Sequence, residues 1–132
     1  MKRLATVVVL LCALLACQPD SRSPRGVAEQ FIDQYYVQIN LAGAQLFCTG
    51  LAREKIEEQV RLTQGQPIDE STRKPWVRYK LLETREETAD HASYLFEGMV
   101  HVAGADGLTP KWLVSLRRDG DAWKVSNFTE IP

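Results

Sequence analysis

The chain has 132 residues, of which 45% are hydrophobic, and it carries 16 basic and 17 acidic side chains. With no basic excess to hold a phosphate backbone, nucleic acid is excluded as a partner. The chain begins with Lys2 and Arg3 and then runs apolar from Leu4 to Ala16. That run is well short of the roughly 20 apolar residues that a bilayer-spanning helix needs. A basic start followed by an apolar stretch of this length fits an export signal instead, to be set aside in any reasoning about the fold. An ordinary signal peptidase selects small residues at the first and third positions before its cut, and here Leu14 occupies the third.

Another processing route is written in Leu14-Leu15-Ala16-Cys17, which resembles the lipobox of bacterial lipoproteins. The resemblance implies cleavage after Ala16, a diacylglycerol on the Cys17 thiol and acylation of the new amino terminus. Two or more chains give stable anchoring where one holds only reversibly. Gln18, rather than Asp, follows the cysteine, which in Gram-negative lipoproteins leans towards the outer membrane, with the protein facing the periplasm. On this reading residues 1–16 are a signal peptide, 17–22 a lipidated tether and 23–132 one domain. The 116 residues after Ala16 suffice for a single ordinary core. Removing Lys2 and Arg3 leaves 14 basic side chains against 17 acidic. Cys12 leaves with the signal, so Cys48 is the remaining thiol and has no internal disulfide partner. It reads as a small buried apolar residue; a nucleophile would need an activating base that the pattern does not supply.

At Ser23-Pro24 a helix is predicted, because Ser is a good N-cap and Pro is favoured at the first helical position. Val27, Ala28, Phe31, Ile32, Tyr35 and Ile39 recur at helical spacing, with Glu29, Gln30, Asp33, Gln34 and Gln38 on the other side. A short second helix is expected from Leu41 to Phe47, broken near Gly43. Thr49 caps a third, in which Leu51, Ala52, Ile56 and Val60 form a narrow stripe. Arg53–Glu57 and Glu57–Arg61 sit there at i, i+4 spacing. Gly65 and Pro67 stop that helix, and "QPIDESTRKP" reads as a loop with little to bury.

From Trp76 the period changes from helical to alternating. "WVRYKLLETREE" sets Val77, Tyr79 and Leu81 against Arg78 and Lys80. "ASYLFEGMVHV" sets Tyr94, Phe96, Val100 and Val102 against Leu95, Glu97, Met99 and His101, after a turn at Asp90-His91. "GADGL" leads to a third strand over Lys111–Arg118, and "DGD" makes a tight hairpin into a fourth over Ala122–Ile131. Four strands joined by short turns form an antiparallel meander. Leu95, Met99 and Leu113 on the second face predict that part of that face is covered as well.

A sheet with an apolar face needs a cover, and the preceding helices supply it, so the fold class is α+β with N-terminal helices on a curved four-stranded antiparallel sheet. Over Ser23 to Ile131 the chain resembles the nuclear transport factor 2-like superfamily, a cone in which the sheet wraps a long helix. The resemblance rests on that helix, the short helices after it, the meander and the ending "DGDAWKVSNF". One departure is that no strand shows between the second and third helices, which keeps a cystatin-like arrangement as the alternative.

Enzymes of that superfamily resemble ketosteroid isomerase or polyketide cyclases, with a pocket carboxylate or histidine as base beside a hydrogen-bond donor. No acid is evidently placed in an apolar cavity: Asp33 lies on the polar side of the first helix, and Glu97 reads as solvated or as a partner for Arg78 or Arg117. His101, among Met99, Leu113 and Trp112, is the better candidate base, though it also fits a structural histidine; His91 reads as solvent-facing. The aromatic residues can line a cavity or simply fill the core, and the ligand-pocket candidates are Tyr35, Tyr79, Tyr94, His101 and Trp112. Two separated histidines without clustered cysteines or carboxylates make no metal site, and no glycine-rich fingerprint suggests a nucleotide cofactor. These features point to a non-catalytic domain that binds a small ligand or an envelope protein. The alternative is an isomerase- or hydrolase-like pocket enzyme with His101 as base and Tyr35 as donor. The family resemblance also raises a homodimer through the outer sheet face.

Overall fold

A computed structural model describes residues 22–64 and 75–131. The signal, Cys17 and most of the expected tether lie outside these residues, as does most of the expected loop before Trp76. Helix α1 spans Pro24–Ile32. Ser23 caps it as expected, its hydroxyl oxygen accepting from the Gly26 amide at 3.0 Å. Val27, Ala28, Phe31 and Ile32 are buried on one stripe. The helix then widens into a π-helical turn over Asp33–Val37, closed by the Gln38 amide donating to the Asp33 carbonyl at 2.8 Å.

Ile39, expected on the helical stripe, instead takes a left-handed conformation with φ 54°. The chain has to reverse there so that Asn40 can cap the next helix, and a β-branched residue is rare in that region. Helix α2 spans Leu41–Gln45, with the Asn40 side chain accepting from the Gly43 amide. Gly43 does not break α2; a Cβ there would meet the Asn40 and Gln34 side chains.

Helix α3 spans Gly50–Leu62. It buries only Ala52 and Ile56, while Leu51 and Val60 of the expected stripe are exposed. The helix meets the body along one narrow seam, against the last strand and α2. Arg53 pairs with Glu57 as predicted, but Arg61 pairs with Glu58 rather than Glu57. The helix ends at Leu62, where the Thr63 hydroxyl donates to the Gln59 carbonyl.

The four strands are β1 Trp76–Glu87, β2 His91–His101, β3 Lys111–Asp119 and β4 Ala122–Ile131. They form one sheet in the order β1-β2-β3-β4, every pair antiparallel, which is the expected meander. His91 belongs to β2 rather than to the turn, and Val102 lies beyond the strand. Register shifts at Leu81/Glu83, Thr84/Glu86 and Ser115/Leu116 mark bulges, which bend and twist the strands around α1. The Gly120-Asp121 hairpin turns with Gly120 at φ 62°.

The inner face, against the helices, carries Tyr94, Phe96, Trp112, Val114, Leu116, Val125 and Phe128 in one core with Phe31 and Ile32. Between α2 and α3 the chain makes a single parallel bridge, Cys48 to Val125, on the β4 edge of the sheet. Lys55 of α3 ties down β4 by donating to the Asn127 side chain and the Phe128 carbonyl, both at 2.8 Å. On the outer face Leu95 is only 7% exposed opposite a half-buried Leu113, in line with the expectation of partial cover.

Candidate functional site

The aromatic residues of the inner face are packed on one another. The π-turn brings Tyr36 flat onto Trp112, with ring centroids 3.8 Å apart. Trp112, 2% exposed, in turn occupies the space over Gly98, where a Cβ would fall within its indole ring. Phe31, Tyr35 and Phe128 form a second group with centroids 4.8–5.5 Å apart. Such tilted and offset contacts add to the area buried.

All three predicted pocket tyrosines have their hydroxyl protons committed to the protein. Tyr35 donates to Gln59 Oε1 at 2.7 Å, Tyr94 to Glu87 Oε1 at 2.6 Å and Tyr79 to the Glu29 carbonyl at 3.4 Å. Burial pushes the phenols of Tyr35, Tyr79 and Tyr94 further up, so none is poised to release a proton near neutrality. At Tyr79 the negative charges of Glu29 and Asp33 act in the same direction after burial. Cys48 is buried with its thiol donating to the Ala44 carbonyl at 3.3 Å, and burial pushes that thiol up to about 12, the opposite of an activated nucleophile.

His101 stands apart from the other four candidates. It is exposed on the outer face, paired across strands with Trp76, whose ring centroid is 5.5 Å away. Arg78 covers the same Trp76 ring at 4.2 Å. Tyr35, Tyr79, Tyr94 and Trp112 all lie on the side of the sheet that faces α1. Glu97, also on the outer face, has Lys80 as its partner at 3.7 Å rather than Arg78 or Arg117.

An opening lies on the flank of α1 that the sequence marks as polar. A cleft of about 410 Å³ is lined by Glu29, Gln30, Asp33, Gln34, Phe47 and Tyr79. Helical spacing sets the four polar residues along one edge, and the Phe47 and Tyr79 rings supply its apolar surface. Glu29 is offset by Arg25 at 3.1 Å, and Gln34 accepts from Asn40 at 3.0 Å. Among the described residues no hydrogen bond or ion pair engages the Asp33 carboxylate. Of the predicted pocket residues the cleft includes only Tyr79. Glu29, Gln30, Asp33 and Gln34 were missed because the polar flank of an amphipathic helix reads as solvated surface, and Phe47 lies outside that helix, beyond the end of α2. Two smaller clefts, of about 340 and 290 Å³, lie near Leu46 and Lys124. Among the described residues no group of three or more His, Cys, Asp or Glu side chains could hold a metal ion.

No protein-family model and no curated protein matches the chain. Solved structures do. A domain of unknown function with a cystatin-like fold from Nostoc punctiforme superposes with a TM-score of 0.59 at 13% identity, over 80% of this chain and 72% of that one. A nuclear transport factor 2-like protein of unknown function from Shewanella oneidensis gives 0.57 at 8% identity, over 79% and 92%. The fold is nuclear transport factor 2-like. A ketosteroid isomerase-like protein from Erwinia carotovora shares it, with a TM-score of 0.53 at 13% identity over 86% and 95%. At such identities the nuclear transport factor 2-like likeness speaks for shape alone, and chemistry has to be argued from the site. The cystatin-like description of the Nostoc domain fits the arrangement of helices before strands.

Proposed function

We propose that this protein is a lipid-anchored lipoprotein of the bacterial envelope whose nuclear transport factor 2-like domain binds a small ligand in the cleft beside α1. The observation that carries the binding half is the cleft: about 410 Å³ bounded by two rings and an unengaged Asp33 carboxylate, beside a core filled with side chains. Its size falls in the usual range for small-molecule sites, and its lining mixes apolar surface with a few polar groups. The anchoring half is supported by Lys2, Arg3, the apolar run and Leu14-Leu15-Ala16-Cys17. The acyl chains hold the domain at the membrane, and Gln18 favours the outer one, with the domain in the periplasm. An envelope protein docking on the domain, or a homodimer through the face that carries Leu95 and Leu113, is compatible with the same anchor.

An isomerase- or hydrolase-like reaction would need a base within about 3 Å of the proton it moves. His101 and the Tyr35 hydroxyl lie on opposite sides of the sheet. The binding reading is therefore preferred.

The test of anchoring is Cys17→Ala in the full chain. The variant is expected to appear in the soluble fraction with unchanged circular dichroism, and the native product to carry a diacylglycerol and an acyl chain by mass spectrometry. A variant that stays with the membrane, or a native product with a bare thiol, would overturn it.

A further inference from the structure

We infer that the cleft beside α1 takes a small organic monocation, an ammonium group carried on an apolar body. This rests on the reading of the cleft as a small-ligand site and specifies what that site accepts. Two carboxylates, Glu29 and Asp33, line the cleft, and no basic residue is among the described lining. Arg25 offsets the first; the second has no partner among the described residues. One negative charge is left over, which matches a single positive charge in the ligand.

The rest of the lining decides what kind of cation. A small divalent metal ion would call for several oxygen or nitrogen ligands converging on one point, and no group of three His, Cys, Asp or Glu side chains comes together among the described residues. Instead the carboxylate shares the cleft with the rings of Phe47 and Tyr79, both half-buried. Aromatic faces attract an alkylated ammonium through the ring quadrupole and also accept its methyl groups. The Tyr79 phenol feels the negative charge of both acids, so the ring and the carboxylates act on the same small volume. Gln30 and the amide nitrogen of Gln34, whose oxygen already accepts from Asn40, remain to contact a polar substituent on the ligand.

The probes are choline and 3,3-dimethyl-1-butanol, which has the same shape with carbon in place of the charged nitrogen. Each is titrated up to about 10 mM, a range that reports dissociation constants of about 1 mM, into the full, 15N-labelled chain in neutral detergent. Choline is expected to shift the amide resonances of Glu29 to Gln34, Phe47 and Tyr79, and the neutral isostere to bind at least about fivefold more weakly, the scale of one Coulombic contact near water. Asp33→Asn should weaken choline by a similar factor without altering the rest of the spectrum, with Glu29→Gln as a second variant should the first perturb folding.

Equal binding of the two probes at the cleft would overturn the charge assignment and leave the small-ligand reading standing. Shifts confined to residues elsewhere, or none from either probe, would overturn both.

Discussion

Helix α1 meets aromatic side chains on both flanks, and the two flanks behave differently. On the inner flank Phe31, Tyr36 and their neighbours are covered by other rings, Tyr36 by Trp112 at 3.8 Å and Phe31 by Phe128 at 4.9 Å. The hydroxyl protons of Tyr35 and Tyr94 already have acceptors, as does that of Tyr79 on the cleft side. On the cleft flank Phe47 and Tyr79 border open space, and Asp33 has no partner among the described residues. An abundance of aromatic residues is therefore poor evidence of a ligand site. Rings left half-covered beside unspent charge are better evidence, because each well-made internal contact removes a group from what a ligand could use.

That contrast breaks first in the interior. Phe31→Ala should cost about 3–5 kcal/mol in urea unfolding, since a fully buried ring is lost and its neighbours on α1 and β4 can close only part of the space. A loss below about 1 kcal/mol would mean that the inner flank is not a filled core. Gly98→Ala comes next: its Cβ would meet the indole of Trp112, so the ring must leave Tyr36 or the strand must move. The expected cost is about 1–3 kcal/mol, with a change in tryptophan fluorescence that marks the broken stack. The smallest effect belongs to the cleft. Asp33→Asn removes no internal hydrogen bond or ion pair, and its stability should stay within about 0.5 kcal/mol of the parent. A larger loss would show that Asp33 has a structural role and would weaken the distinction between the two flanks.

Much of the fold was legible from local pattern. Ser23-Pro24 started a helix because a capping hydroxyl and a fixed φ act within one turn. The meander followed from alternating strands and the Asp119-Gly120-Asp121 turn, which reproduced β4 residue for residue. Where the reading failed, the cause was at a distance. Leu51 and Val60 had the right spacing for burial, but α3 touches the body along too narrow a line to cover them. Ile39 fitted the helical stripe, but the chain had to turn towards Asn40. His101 is a different case, since alternation, a local signal, already sets it opposite the core-facing Val100, and the structure keeps it on the outer face beside Trp76. Within the candidate site only Tyr79 was legible, since nothing in Glu29, Gln30, Asp33 or Gln34 distinguishes a helix edge facing a cleft from one facing water.

The sequence by itself determined the helices and strands, their order and the α+β class, because caps, turns and hydrophobic period act over a few residues. It also supplies the whole case for a lipid anchor at Cys17. Only the tertiary structure decided which aromatic residues are spent on one another and which border a cleft. Those outcomes depend on how bulges curve the sheet around α1 and how a π-turn aims Tyr36, and they are set by packing between segments distant in the chain.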